Sequence, residues 1–264
     1  MTKPVAATPQ TFTEAGYTIE IAVVGYPGKS VCHGGLGWST IALLRGHGKV
    51  ALIDTGSFSQ RHLIIDRLAA HGLTPADVTD VLLTHSHWDH SINWVMFPKA
   101  RIHIDGGELA WSIAEPWGTT PVPELYVREL DRSSQAVRIS PGDEVLPGIT
   151  AMAAPGHTPG HVIFLLAGQD RDIIFTGDAA KNRAEMLSRT ADMTYDQNVS
   201  RRSIDAIWEL WRRRPGTVLV PGHDVPMVLE NDAPRYLAAR AAGISAWFGD
   251  TLDQLSIFDI TAAS

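Results

Sequence analysis

The stretch LLTHSHWDHSINW, residues 82 to 94, brings His85, His87, Asp89 and His90 within six positions. Imidazole and carboxylate together suit zinc and admit iron or manganese. In a strand, alternation would put His85, His87 and Asp89 on one face and His90 on the other. In a helix, His85 and Asp89 would align while His87 sat far round the cylinder. A turn joining a strand to a helix can gather all four. Its first pair would look one way and its second pair beside it, which suits two neighbouring metal ions. Histidines that end a strand are otherwise solvated loop residues, and this foursome argues for ligands.

Three further turns end in a ligand-type residue after a strand-like run. They are His157 in AAPGHTPGH, Asp178 in IIFTGDAA and His223 in VLVPGHD. Gly156, Gly177 and Gly222 immediately precede them, as a tight turn that brings backbone close to a site requires. A single Gly-His is more often only a turn. Taken with the first cluster, the three extend one ligand set.

The elements that must position these turns follow from periodicity. Residues 1–16, rich in Thr, Ala and Pro, read as a flexible lead-in, and residues 17–264 as one domain. YTIEIAVVG alternates as a strand, and STIALLRGHGKVALIDTG reads as two strands joined through a Gly-His-Gly turn. SQRHLIIDRLAAHG is helical and closes on Gly72. DVTDVLL is a short strand, SINWVMF resumes at helical intervals, and ARIHID and GELAWSIAE give another strand and helix. The proline-broken stretch from Glu115 to Leu130, with Trp117 and Tyr126, is either a cap over a pocket or a surface loop.

Strands return at AVRIS, EVLPGITAMAAP, HVIFLLAG and DIIFTGD. Helices are predicted over SRRSIDAIWELWRRR and APRYLAARAAGISAWF, on either side of the strand TVLVPGHD. Each half runs strands, a ligand-bearing turn and a helix. That pattern implies an α+β fold with two sheets face to face and helices outside. The histidine cluster then lies at a strand's carboxyl end, a favoured place for ligand sites in α/β architectures.

With 264 residues, 44% hydrophobic and 19% charged, the chain reads as an ordinary globular protein able to bury a sizeable core. A formal net charge of -7 weighs against nucleic acid or an anionic membrane as the main partner. The single cysteine, Cys32, permits no intrachain disulfide and no multi-cysteine zinc site, so a metal must rest on histidine and carboxylate. The N-terminus lacks an apolar leader core, and no apolar run approaches membrane-spanning length. These features read as a cytoplasmic protein that acts on a small molecule, with a homo-oligomer left open.

THSHWDH, with His157, Asp178 and His223 downstream and LIDTG at residues 52–56 upstream, resembles the metallo-β-lactamase superfamily. The resemblance implies an αββα sandwich of two mixed sheets with outer helices and a metal site at one edge of the sheets. It assigns His85, His87 and His157 to a first metal, and Asp89, His90 and His223 to a second, with Asp178 between the two. Asp54 resembles a carboxylate that orients a ligating histidine. Thr158 and His161 match positions with supporting roles.

The chemistry so implied is hydrolysis. Two divalent ions, zinc by ligand type with iron or manganese admitted, would share a hydroxide that attacks the carbonyl of an ester, lactone, amide or thioester. Asp89 would carry a proton to the leaving group. Lys181, three residues after Asp178, stands where resembling acyl-homoserine lactonases carry a tyrosine. One subclass of zinc β-lactamases carries there a lysine that meets a substrate carboxylate. Lys181 therefore implies an anionic substrate, or else is a solvated lysine. Trp38 would cover the pocket from the glycine-rich segment of residues 31–40, or pack within a turn. Trp117 would join it if Glu115 to Leu130 is a cap.

A mononuclear iron persulfide dioxygenase of the same fold shares the ligands of one metal and is the alternative; the intact second set favours hydrolysis. A glyoxalase II type thioesterase is disfavoured because SINWV stands where those enzymes continue with Gly-Gly. A nuclease ranks third, since the acidic chain offers no phosphate-binding signature. His33, His47, His62, His71 and His103 read as surface or packing residues.

Overall fold

The structure is a computed structural model that describes residues 10–30 and 34–261. Alternating apolar positions build the first sheet from β1 (Thr11–Glu14) and β2 (Tyr17–Val23). After a small ribbon of β3 (Lys29–Ser30) and β4 (Gly34–Gly35), it continues through β5 (Ile41–Gly46), β6 (Lys49–Ile53), β7 (Asp80–Leu82), β8 (Arg101–Asp105) and β9 (Ala136–Ile139). The ribbon aside, these strands pair in chain order, antiparallel up to β6 and parallel from β6 to β9.

The second sheet pairs β10 (Glu144–Leu146), β11 (Ile149–Ala153), β12 (Val162–Leu166), β13 (Ile173–Gly177), β14 (Val218–Pro221), β15 (Met227–Glu230) and β16 (Ala233–Tyr236) in order. Only β13 and β14 run parallel within it. A hairpin of β17 (Gly243–Trp247) and β18 (Leu255–Asp259) follows.

Side chains from the facing surfaces of the sheets make the central core, with Ile19, Ile21, Leu44, Ile53 and Leu82 on one side and Phe164, Phe175 and Val220 on the other. The outer face of the first sheet is covered by α1 (Arg61–Ala69), α3 (Gly106–Ala114) and α4 (Glu124–Arg132), which contribute Ile64, Leu68, Leu109, Val127 and Leu130. The outer face of the second is covered by α5 (Arg183–Ser188) and α6 (Gln197–Arg212), through Met186, Ile204, Ile207 and Trp211. Each such side chain stabilises the fold by about 1.5–3 kcal/mol on burial. The layers are helix, sheet, sheet, helix, as the sequence implied. The remaining helix, the one-turn α2 (Trp88–Ser91), lies in the histidine segment itself.

This topology decides where a site can form. The parallel pair β6 and β7 ends at Asp54 and His85, and the parallel pair β13 and β14 ends at Asp178 and His223. Carboxyl ends of parallel strands in both sheets meet along one edge, where ligands are expected.

Three expectations need correction. Thr11–Glu14 was counted in the flexible lead-in but forms β1, because Phe12 and Glu14 alternate inward and Glu14 accepts from the backbone N–H of Asp170 (3.2 Å); residues 1–9 lie outside the described residues. The helix expected over APRYLAARAAGISAWF is replaced by β16 and β17. Ala, Arg and Leu favour helix locally, yet Pro234 and Tyr236 turn inward on an edge strand, where a proline without an N–H is tolerated. The Tyr236 hydroxyl then donates to buried Asp224 (2.8 Å). Finally, Glu115 to Leu130 is a short loop followed by α4, whose amphipathic pattern its prolines concealed.

Candidate metal centre

Asp54 leaves β6 in the left-handed region, at φ 56°, a conformation uncommon outside glycine. The turn aims its carboxylate at the end of β7. Oδ1 accepts from the Thr84 N–H (2.8 Å), and Oδ2 from the Thr84 hydroxyl (2.9 Å) and from His90 Nδ1 (2.8 Å). Since the Thr84 hydroxyl donates to Asp54, it must accept from His85 Nδ1 (3.1 Å). His85 Nε2 therefore carries the lone pair, and it is buried without a protein partner. One carboxylate thus sets the tautomer of two imidazoles.

The ligand-type atoms form three overlapping groups, each within 4.8 Å: His85, His87 and His157; His85, His90 and Asp178; Asp89, His90 and His223. His157 Nε2 lies 2.9 Å from His87 Nδ1, and His90 Nε2 lies 3.3 Å from His223 Nε2. Asp178 spans the groups. Its Oδ1 is 3.2 Å from both His90 Nε2 and His223 Nε2, and its Oδ2 is 3.3 Å from His157 Nε2. Asp89 Oδ2 sits 3.3 Å from His223 Nε2 and 3.6 Å from His90 Nε2.

These spacings fit cations. The edge of a zinc tetrahedron with bonds of about 2.0–2.1 Å is about 3.3 Å. Nitrogen lone pairs facing each other at such distances repel unless a proton or a cation lies between them. Protonation favours the cation for one group: burial holds His85 and His157 well below the ordinary imidazole range and pushes His87 down to about 4. For His90 burial acts the same way, but the carboxylates of Asp178, Asp89 and Asp54 outweigh it and hold the imidazole well above that range. Burial also opposes ionisation of Asp178, and the imidazoles of His223, His90 and His157 outweigh it, keeping the carboxyl far below the usual range. A bound metal would replace the His90 proton.

Glycine permits the close approach. A Cβ on Gly177, at φ 47°, would overlap Thr84, and one on Gly222 would overlap Asp178 Oδ1. His161 is not among the grouped ligand atoms; its Nε2 accepts from the Asp178 N–H (3.0 Å) and so holds the end of β13. The buried Thr158 closes the adjoining turn, its carbonyl accepting from the Gly156 N–H (3.0 Å). Lys181 lies mostly buried, its Nζ 3.1 Å from Glu185 Oε1, and its carbonyl accepts from the His223 N–H (2.8 Å).

The two tryptophans sit apart from the cluster. The Trp38 indole N–H donates to the Val24 carbonyl (2.8 Å) and its ring stacks on Tyr26 (5.0 Å). Trp117 is exposed beneath the Arg128 guanidinium (5.3 Å). Among the described residues, no hydrogen bond or ring contact joins either one to the ligand cluster. Residues 31–33 of the glycine-rich segment, with Cys32 and His33, lie outside the described residues. His47 and His62 are exposed, His71 pairs with Glu20 (2.6 Å), and His103 is buried against Asp80 (2.9 Å).

Sequence reasoning missed two neighbours of the cluster on α3 and one beyond it. The Trp111 ring lies 6.4 Å from that of His87 and 5.9 Å edge-on from exposed Tyr195, whose N–H donates to the His157 carbonyl (3.3 Å). Glu108, fully buried, accepts from the Ser86 N–H (2.9 Å) and hydroxyl (2.7 Å) and from the Gly160 N–H (3.0 Å). The available signal was spacing: positions 108 and 111 share a helix face, so an acid on it points at whatever that face meets.

An αββα sandwich with histidine and aspartate converging at the strand ends defines a metal-site scaffold. The family model for the metallo-beta-lactamase superfamily matches residues 34–223, and the chain belongs to that superfamily. It is 24% identical over 164 residues to the N-acyl homoserine lactonase AiiA of Bacillus thuringiensis subsp. kurstaki, a match covering 61% of this chain. The chain spans 62% of the length of that curated relative. Its fold resembles AidC, a dizinc quorum-quenching lactonase solved with a product (TM-score 0.71, 14% identity, 87% of this chain and 96% of that one). It also resembles an N-acyl homoserine lactone hydrolase with N-hexanoyl-L-homoserine at its catalytic metal centre (TM-score 0.62, 18% identity, 84% and 95%). Among the described residues, no helix is long and apolar enough to cross a membrane.

Proposed function

We propose that the chain is a dinuclear metal-dependent hydrolase that opens an ester, lactone, amide or thioester bond in a small molecule. The observation that carries this reading is Asp178, whose two oxygens face His90 and His223 on one side and His157 on the other. His85, His87 and His157 would hold one metal and Asp89, His90 and His223 the other. Two divalent cations, when bound, supply positive charge for a scissile carbonyl and lower the pKa of water at the site.

The chain's own residues do the rest. Asp54 keeps His85 and His90 in the ligating tautomer. Asp89, with its side chain 17% exposed, reaches solvent as well as the cluster and carries the proton to the leaving group. Trp111 and Tyr195 wall the side of His87 and His157 and keep water from that flank. Lys181 faces an anionic group of the substrate, which must compete with Glu185 for the ammonium. The named lactonases among the relatives put lactones first among the substrates to try.

The test is elemental analysis of protein purified without added metal or chelator, followed by a panel of lactones, esters, amides and thioesters with and without a carboxylate. About two metal ions per chain and chelator-sensitive cleavage are expected. One iron per chain with oxygen uptake on a persulfide would replace the proposal with the dioxygenase reading.

A further inference from the structure

Two carboxylates grip the histidine segment from different directions. Asp54, at the end of β6, reaches His90 directly and His85 through Thr84. Glu108, from α3 on the outer face of the first sheet, takes hold of Ser86, the residue between His85 and His87. Its second oxygen accepts from Gly160 in the loop between β11 and β12 that also carries His157. That loop belongs to the other sheet. A Cβ on Gly160 would overlap the Glu108 backbone, so the contact leaves no room for slippage.

We infer that Glu108 is a positioning residue that locks together the His85/His87 turn and the His157 loop, and so sets the affinity of that trio for its metal separately from the Asp89/His90/His223 trio. The inference rests on the two-metal reading above. Its physical basis is that ligand nitrogens carried by two sheets must stay within a few ångströms of one another, as His87 Nδ1 and His157 Nε2 do at 2.9 Å, while the loops bearing them lie beyond the ends of the paired strands. One backbone bond, from the Val162 N–H to the Thr84 carbonyl (3.0 Å), joins the two segments at their edges, and three hydrogen bonds to one buried carboxylate add a hold beside the ligands themselves; partners of this kind typically account for about 10–100-fold in metal affinity.

The experiment titrates the metal-stripped full chain with Zn2+ against a chromophoric chelator, alongside urea unfolding in excess chelator. In Glu108→Ala one of the two equivalents should weaken by about 10–100-fold while the other stays within about threefold. Glu108→Gln keeps an acceptor for Ser86 but turns its NH2 toward the Gly160 N–H, so it should recover the Ser86 half of the hold and only part of the loss. Asp54→Ala, which frees His90 directly and His85 through Thr84, should weaken both equivalents, in contrast to Glu108→Ala. Equal affinities in wild type and Glu108→Ala would overturn the inference. So would parallel loss of both equivalents that tracks the fall in folded metal-free protein, the mark of a purely structural residue. Wild-type protein that takes up no Zn2+ would overturn it together with the hydrolase reading. Protein that binds two equivalents and cleaves nothing would sink only the latter, and the Glu108 comparison would stand.

Discussion

Asp80 opens β7, the strand that ends at the histidine turn, and it is fully buried. Its Oδ1 accepts from His103 Nε2 (2.9 Å) and its Oδ2 pairs with Lys49 Nζ (3.1 Å). Burial opposes the charge, but bonds from His103, Thr79 and Lys49 outweigh it and lower the carboxyl from 3.8 to about 2. A depressed folded-state pKa means stability that is fully present above the unfolded value and lost as pH falls through the folded one. The shift corresponds to about 2.4 kcal/mol at pH 7, and the same linkage leaves about 1.3 kcal/mol at pH 3.

Asp80→Asn keeps the shape and one acceptor but turns an amide N–H2 toward one of two donors. Lys49, partly exposed, can swing into water, so the expected loss is about 2–3 kcal/mol at pH 7, below the 3–5 typical when a buried charge is stranded. Urea unfolding in excess chelator at pH 7 and pH 3 reads it, because groups remote from Asp80 contribute alike to both proteins, and His103→Gln in both backgrounds separates the share of the imidazole that touches it. The gap between wild type and variant should shrink by about 1 kcal/mol at the lower pH. A gap independent of pH, or one under about 0.5 kcal/mol at pH 7, would refute the assignment of Asp80 as an ionised, hydrogen-bonded group. Metal content should be unchanged, since Asp80 lies at the opposite end of β7.

Other expectations concern the centre itself. Asp178→Ala removes the carboxylate that lies between the two trios and should cut turnover at least about 100-fold with loss of bound metal; unaltered turnover and stoichiometry would end the dinuclear assignment. Lys181→Met should lower kcat/KM for an anionic substrate about 10-fold more than for its neutral ester, and equal losses would count against a carboxylate contact. Because the carboxylates of Asp178, Asp89 and Asp54 favour the protonated form of His90 without metal, loading should release protons and weaken as pH falls. Calorimetry in two buffers of different ionisation enthalpy measures that release, and none would contradict the charge state given to His90.

How much of this was legible follows from how local each feature is. The four ligand turns could be read because each places histidine or aspartate directly after a strand-like run, with a glycine between them at His157, Asp178 and His223 and four ligand types crowded together at His85 to His90. The parallel pairs β6/β7 and β13/β14 then bring their ends to one edge, where the structure gathers His85 with His87 in one group, His85 with His90 in a second and Asp89 with His90 in a third. The helix expected after residue 232 failed for the opposite reason. Ala-rich propensity was overridden by pairing of β16 with β15 and by a tyrosine hydroxyl bonded to buried Asp224, neither of which is visible from neighbouring residues. His103, expected as a surface or packing residue, is a packing one, and only its partner Asp80, 23 positions away, was beyond the reach of local sequence. Glu108 is the instructive case between these. Its helix was found and its spacing to Trp111 was in view, but an acid on a helix is ordinarily a solvated residue. What removes it from that class is α3 itself: Leu109 and Ser112 are buried on the same arc of the helix, so the helix that fills the core must carry the carboxylate inward. A lone acid on the buried arc of a helix needs partners there, and in the fold α3 follows β8, the strand beside β7, which brings Glu108 within reach of the backbone N–H of Ser86 in the histidine turn.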